Sequence, residues 1–363
     1  MITPSSIARG AKQLALLACA LALSPSVFAA PGDYLVVPLV ADQANGQPVT
    51  DGNLVNGWGI VASPTSPLWV SSNGMGLSTV YDGLGNIKSP PSPVTIPPVN
   101  PSDPHGAPDG IVFNLGSSSK PGDFLVGGAG TAASFLWATE DGAIAAWAGG
   151  ASATLKFIAT DGAVYKGLTM AGNGVDHFRV YAADFHNGKI DVIKEDWTKV
   201  GVPGAFSDPS LPDGFAPFNI LNIQGNLYVA YAMQKPGSND EADGPGLGII
   251  NVFDADGFLI ERVATKGKLN APWGMALAPD GFGKFSNMLL VGNFGDGTIN
   301  AYNVKGFTFA GQLRANNKVL KIDGLWGITF GNGFNNQPTD TLFFAAGPGD
   351  EGHGLFGSIV PAQ

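Results

Sequence analysis

The chain has 363 residues, with 19 Lys and Arg against 29 Asp and Glu, a formal charge of −10, and only 13% charged side chains. An acidic chain without a basic stripe excludes nucleic acid and anionic membrane surfaces as partners. Its 52 Gly and 44% hydrophobic residues exclude disorder and describe an all-β protein rich in tight turns.

Residues 1–30 read as an export signal. Arg9 and Lys12 form a basic start, Leu14 to Leu23 an apolar run too short to span a bilayer, and Val27-Phe28-Ala29 a small-residue cleavage site. The expected location is therefore periplasmic or extracellular. Leu16-Leu17-Ala18-Cys19 also fits a lipoprotein box, but the apolar run continues past Cys19 and the better cut site lies downstream. Removing Arg9 and Lys12 leaves 17 basic residues (19 − 2) against 29 acidic ones, a charge of −12. No cysteine follows Cys19, and about 330 residues bury a core without disulfides. No later stretch nears twenty apolar residues, so the mature chain is not expected to span a membrane.

From residue 33 onward one phrase recurs about every fifty residues. A first apolar strand, often opened by Gly or Trp-Gly, begins near 56, 108, 165, 215, 270 and 323. A second strand follows at 67–73, 123–130, 178–185, 226–233, 287–294 and 341–347. A third follows a short Gly-rich connection, as in "SFLWATEDG" at 134–142 and "LGIINVFDADG" at 247–257. Short strands separated by Gly, Asn and Asp turns, with no amphipathic helix between them, form antiparallel sheets. A repeat of this length with three or four strands per unit predicts propeller blades, and six copies predict six blades. "YDGLG" at 81–85, "TEDG" at 139–142 and "DADG" at 254–257 read as equivalent hairpin turns. "DADG" lacks the later acidic ligands of a calcium loop.

The ends fit a closed ring. A fourth strand follows several copies, at 257–264 and 306–313, but the last copy stops at Pro361 without one. An orphan strand, "DYLVVPLV" at 33–40, precedes the first copy. Pairing it with the last blade completes four strands and removes the open edge. The prediction is a single all-β domain over 31–363, a six-bladed β-propeller of four-stranded antiparallel blades. Three stretches break the repeat and read as loops: 88–108, 148–164 and 235–246. The first, rich in Pro, is equally compatible with a proline-guarded edge strand.

"APWGMALAP…FSNMLLVGNFGDGTINAYN" and "GWGIVASPTSPLWVSSNGMGLSTVYDGLGN" resemble NHL-like and YVTN-like six-bladed propellers. More closely, the "NGWGI…PLWVSSNG" opening resembles a group of uncharacterised exported bacterial proteins, some with a C-terminal PEP sorting tail. This chain ends in "GSIVPAQ" and lacks that tail. Related six-bladed folds include calcium-dependent lactonases, an amidating lyase and pure interaction modules, so the fold alone does not fix the chemistry.

The resemblance implies that first strands line the channel and that ligands sit where the loops entering them meet the second-to-third-strand loops. That face collects Asn56, His105, Asp109, Lys166, Asn270 and Asp323 with Asn73, Asp184, His186, Asn187, Asn293, Asp296, Asp350, Glu351 and His353. Asp184, Asn293 and Asp296 form the candidate metal set, because Asn and Asp oxygens from several blades suit an axial Ca²⁺. His186 and His353 suit zinc or acid–base work instead. Asn, Asp and Gly are also the ordinary residues of β-turns. His177 falls on the opposite face. Trp58, Trp273 and Trp326 share one position at the head of the first strand, where large rings stack on a ligand or, as expected here, fill the wedge between blades.

Neither a Walker loop, an H-E-x-x-H pair nor a G-x-S-x-G elbow is present. Two function classes remain: a monomeric module that binds a small molecule, glycan or protein, and a metal-dependent hydrolase, lactonase or lyase at the channel mouth. The first is favoured because no nucleophile, base and orienter stand together.

Overall fold

A computed structural model describes residues 32–362 except 45, 47, 48, 128, 129, 173–176, 202 and 203. The export signal and Cys19 lie outside the described residues. Six small antiparallel sheets surround one axis, and the sequence order of the blades is their order around the ring. Their innermost strands are Gly57–Val61, Pro108–Phe113, Tyr165–Gly172, Phe215–Ile223, Pro272–Leu277 and Leu325–Phe330, which head blades 1 to 6. Each packs beside the next, and the sixth returns to the first.

The closure predicted from the orphan strand is present. Tyr34–Ala41 pairs antiparallel with Leu355–Pro361, from Tyr34 opposite Pro361 to Ala41 opposite Leu355. The Tyr34 hydroxyl donates to Phe282 O at 2.9 Å and accepts from Phe285 N at 3.2 Å, which ties this strand to blade 5 as well.

Alternation along the strands sends side chains into the two seams that flank each blade. Six apolar clusters result, one per seam. Leu136, Ile144, Leu168 and Val180 join blades 2 and 3, for example, and Phe343, Phe356, Ile60 and Leu68 join blades 6 and 1. A seventh cluster lies on the axis and contains Trp58, Phe218, Trp273 and Trp326.

That axial cluster explains the recurring Trp-Gly. In each blade the first strand carries one residue more than the second strand facing it across this point. One large or charged side chain is thereby turned inward from every blade: Trp58, Asp109, Lys166, Phe218, Trp273 and Trp326. The next residue faces the neighbouring inner strand, and five blades carry Gly there. A Cβ on Gly274 would stand 2.4 Å from Trp326 O, and one on Gly327 2.5 Å from Trp58 O. Blade 4 alone carries a side chain at that place: Asn219 donates through Nδ2 to Trp273 O at 2.8 Å. The tryptophans therefore pack on one another at the axis rather than in the wedges. Trp58 and Trp326 stack, and both meet Trp273 edge-on.

Blade 2 departs from the predicted phase by one strand. Its second strand is Phe135–Thr139, and the predicted one at 123–130 contributes only a two-residue ribbon, Leu125–Val126 with Thr131–Ala132. The third strand is Ala143–Trp147 and the fourth is Thr154–Ile158, inside the stretch read as a loop. Residues 139–142 therefore form the second-to-third turn, on the opposite face from 81–85 and 254–257. In the Pro-rich stretch the edge-strand alternative holds, since Val94–Thr95 is the outer strand of blade 1. No helix among the described residues is long and apolar enough to cross a membrane.

Candidate functional site

The site grows from the two charged members of the axial ring. Lys166 stands in the same place as the tryptophans, so its side chain enters the channel with only 2% of its surface exposed. Its Nζ pairs with Glu140 Oε1 and lies 5.0 Å above the Trp58 ring. Burial works against the lysine charge, but Glu140 and Asp109 outweigh it and hold the ammonium above the ordinary lysine range. Asp109 comes from the neighbouring blade and is fully buried. Burial pushes its carboxyl well above the usual range, Glu140 pushes the same way, and Lys166 only partly offsets them.

Asn73 joins this pair to the surface turns. It follows the second strand of blade 1, and its Nδ2 donates to Asp109 Oδ1 at 2.7 Å and to Glu140 Oε2 at 3.0 Å. Glu140 sits on the turn that Thr139 closes through Ala143. Asn56, at the entry to blade 1, donates through Nδ2 to Glu351 Oε1 at 3.1 Å. Its own Oδ1 is buried and has no partner. Glu351 is raised by burial, and the Asn56 hydrogen bond opposes that rise. Blade 4 adds Glu241, held on a two-residue strand that pairs with Met233 and Gln234. Burial lifts its carboxyl to about 7, with Lys166 as the main opposing influence.

These groups surround a cavity of about 440 Å³ at the channel mouth. Trp58, Phe294 and Gly295 give it an aromatic and backbone portion, and the Trp326 ring stacks behind Phe294. Glu140, Asp240, Glu241, Asp243, Asp323, Asp350 and Glu351 line it against only Lys166 and Lys235. Lys166 is committed to Glu140, which leaves six acidic side chains in the lining with Lys235 as the one other cation.

Of the residues expected on this face, Asn56, Asn73, Lys166, Asp323, Asp350 and Glu351 line the cavity, and Asp109 lies just behind Asn73. The expected metal set does not assemble. Asp184 groups with Asp161 and Asp191 in blade 3, where Lys189 and Lys199 already bridge the carboxylates. Its oxygens also accept from Asn187 N and Nδ2, which closes their own turn. Asn293 and Asp296 hydrogen-bond to each other and to Thr298 in blade 5. Asn293 Oδ1 accepts from Asn270 N, and Asn270 Oδ1 from Gly244 N, so both asparagines fix loops. The histidines lie outside the cavity: His105 Nδ1 meets Gly106 O, His186 meets Asn239, and His353 meets Asp42 and Gln43.

The sequence reading missed Glu140 and Glu241. Aligning Asp109 and Lys166 with the three tryptophans would have placed two charges on the axis and made their partners worth seeking.

No family model matches the chain. Two uncharacterised proteins of Acanthamoeba polyphaga mimivirus are similar to it along most of its length. One is 33% identical over 327 residues, covering 86% of this chain and 82% of the relative. The other is 31% identical over 337 residues, covering 90% and 80%. Both relatives are viral and give no support to a bacterial origin. Among solved structures, a streptogramin B lyase matches with a TM-score of 0.51 at 12% identity over 90% of this chain and 96% of that one. A catalytically inactive virginiamycin B lyase from Staphylococcus aureus with quinupristin also matches with 0.51, at 11% identity over 90% and 99%. At such identity these matches establish the propeller fold alone.

Proposed function

The chain belongs to one family with those two mimivirus proteins, and from its own cavity we propose that it is a ligand-binding propeller that takes a small cationic ligand at the channel mouth. The observation that carries this reading is charge: six acidic side chains face the cavity beyond the Lys166–Glu140 pair, with Lys235 the one other cation in the lining. Like charges held together in a partly dry space are relieved by a bound cation. The calcium expected from the sequence is one member of that class. A panel of metal and organic cations, with anionic controls, tests the reading by thermal melting. The expected result is a rise in Tm for a cation and none for the anions; saturation at about a hundredfold over Kd would add ~2.7 kcal/mol. Glu351→Gln should weaken that binding about tenfold or more. If no cation shifts the melt, the reading fails.

A second reading, hydrolysis or elimination at the same mouth, has one observation in its favour. A buried carboxyl lifted to about 7, as in Glu241, is suited to give and take a proton near neutrality. Lactones and esters incubated with the wild type and with Glu241→Gln test it. Turnover that survives unchanged in the variant removes Glu241 from that role.

A further inference from the structure

On the face opposite the acidic mouth the seams are filled unevenly, and two inner hairpins are the cause. In blade 4 the strands Phe215–Ile223 and Asn226–Gln234 stay paired to their ends, with Ile223 opposite Asn226. Gln224 and Gly225 both take left-handed backbone, at φ 54° and 92°, which closes this hairpin in two residues. Blade 5 lacks such a turn: Leu277 ends its first strand and Met288 begins the second. The connection between them carries Phe282 and Phe285 onto Tyr34, into the seam with blade 6. The side toward blade 4 is left uncovered.

A cavity of about 280 Å³ occupies that place. Ile223 and Tyr228 of blade 4 wall it against Leu277, Leu289 and Val304 of blade 5. Among the described residues of its lining none is charged, whereas acidic groups crowd the opposite mouth. An ion entering here would leave water without gaining a partner, so the cavity selects an uncharged molecule.

Tyr228 supplies the polar handle. Its ring belongs to the seam between blades 4 and 5 and meets Phe307 edge-on at 6.3 Å. The residue is 8% exposed, yet its hydroxyl is not among the sealed polar atoms, as that of Tyr231 is. No described residue hydrogen-bonds to it, and burial alone pushes its titration up, so it stays protonated. Asn226, two residues earlier and on the same face of the strand, adds an amide at the rim. A reachable, unspent hydroxyl is met best by another hydroxyl, which gives and accepts. The aliphatic walls and the two neighbouring rings suit a flat apolar body.

We propose that this cavity is a ligand site separate from the acidic mouth, and that it takes a small phenol. The ring lies between Ile223, Leu277 and Leu289, and its hydroxyl pairs with that of Tyr228. A bare hydrocarbon would leave Tyr228 without a partner, and a carboxylate would bring a charge that nothing in the lining answers.

The test is calorimetric titration of the full chain at neutral pH with p-cresol, toluene and sodium p-toluate, which share one ring and one methyl group. p-Cresol should bind at least tenfold more tightly than p-toluate and, through one hydrogen bond, roughly fivefold more tightly than toluene. Tyr228→Phe should bring p-cresol down to the affinity of toluene and leave toluene unchanged. Val304→Trp, at a position 41% exposed, should fill the cavity and abolish both. Absence of p-cresol binding overturns the proposal, as does p-toluate binding equally well. Equal binding of p-cresol and toluene overturns it too, because the Tyr228 hydroxyl then contributes nothing. p-Cresol binding that survives Val304→Trp lies elsewhere and has the same consequence. If Tyr228→Phe fails to fold, the comparison of p-cresol with toluene on the wild type still decides. None of these outcomes bears on the cationic-ligand reading, whose residues lie on the other face.

Discussion

Replacing Lys166 with Met should destabilise the propeller by about 3–5 kcal/mol at pH 8 and by clearly less at pH 5. Methionine fills most of the channel volume, so what is removed is the ammonium that Glu140 and Asp109 share. Breaking a buried pair strands its partner, and the cost is that of an uncompensated charge rather than of one contact. The pH dependence follows from the carboxyls. The folded lysine is held above its ordinary range, so its stabilising contribution is fully present at both pH values. Without it, Asp109, already pushed up by burial and by Glu140, rises further. The folded variant then holds protons that its unfolded chain releases, and it loses stability as pH rises. Urea denaturation at the two pH values measures this. An equal loss at both would assign the effect to packing of the lysine stem.

Glu241→Gln should act in the opposite direction at pH 8. The folded carboxyl titrates at about 7, against an ordinary value of 4.5. Between those values the folded state keeps a proton that the unfolded state gives up, so stability falls as pH rises through that window. Above pH 7 the ionised carboxylate costs roughly 3 kcal/mol. Glutamine removes that cost but leaves a buried amide, so a gain of about 1–3 kcal/mol at pH 8 and little change at pH 4 are expected. Cation binding should weaken in the same variant. Higher stability with poorer binding is what a group retained for a ligand produces. A loss of stability at pH 8 would instead mean that Lys166 depends on the Glu241 charge.

Much of the architecture was legible because it rests on repetition. Six copies of one phrase set six blades, and the missing fourth strand after Pro361 required a partner from 33–40. The error in blade 2 has a physical origin. "DFLVGGAG" is as apolar and small as a true second strand, but periodicity cannot distinguish a short ribbon from a blade strand. Shifting that blade by one strand moved 139–142 to the wrong face and hid Glu140. Turn chemistry was the other obstacle. Asp184, Asn293 and Asp296 carry the oxygens a cation wants, yet Asp184 and Asp296 spend them on their own turns and Asn293 on the loop that enters its blade. Glu241 sits in a stretch read as an irregular loop, and nothing local signals that two of its residues pair with the blade.

The seam between Tyr34–Ala41 and Leu355–Pro361 also gives assembly a direction in time. The first of these strands is among the earliest parts of the propeller to be synthesised, and its partner is the last. At about 5–20 residues per second, tens of seconds separate them on the ribosome. Throughout that interval the growing chain carries blades whose outermost members have no ring to close. The axial tryptophans cannot complete their stack, because Trp326 arrives with the sixth blade. Asp323, Asp350 and Glu351 of the cavity wall also belong to the sixth blade. The same last stretch of chain therefore supplies both the partner of the closing strand and one wall of the cavity.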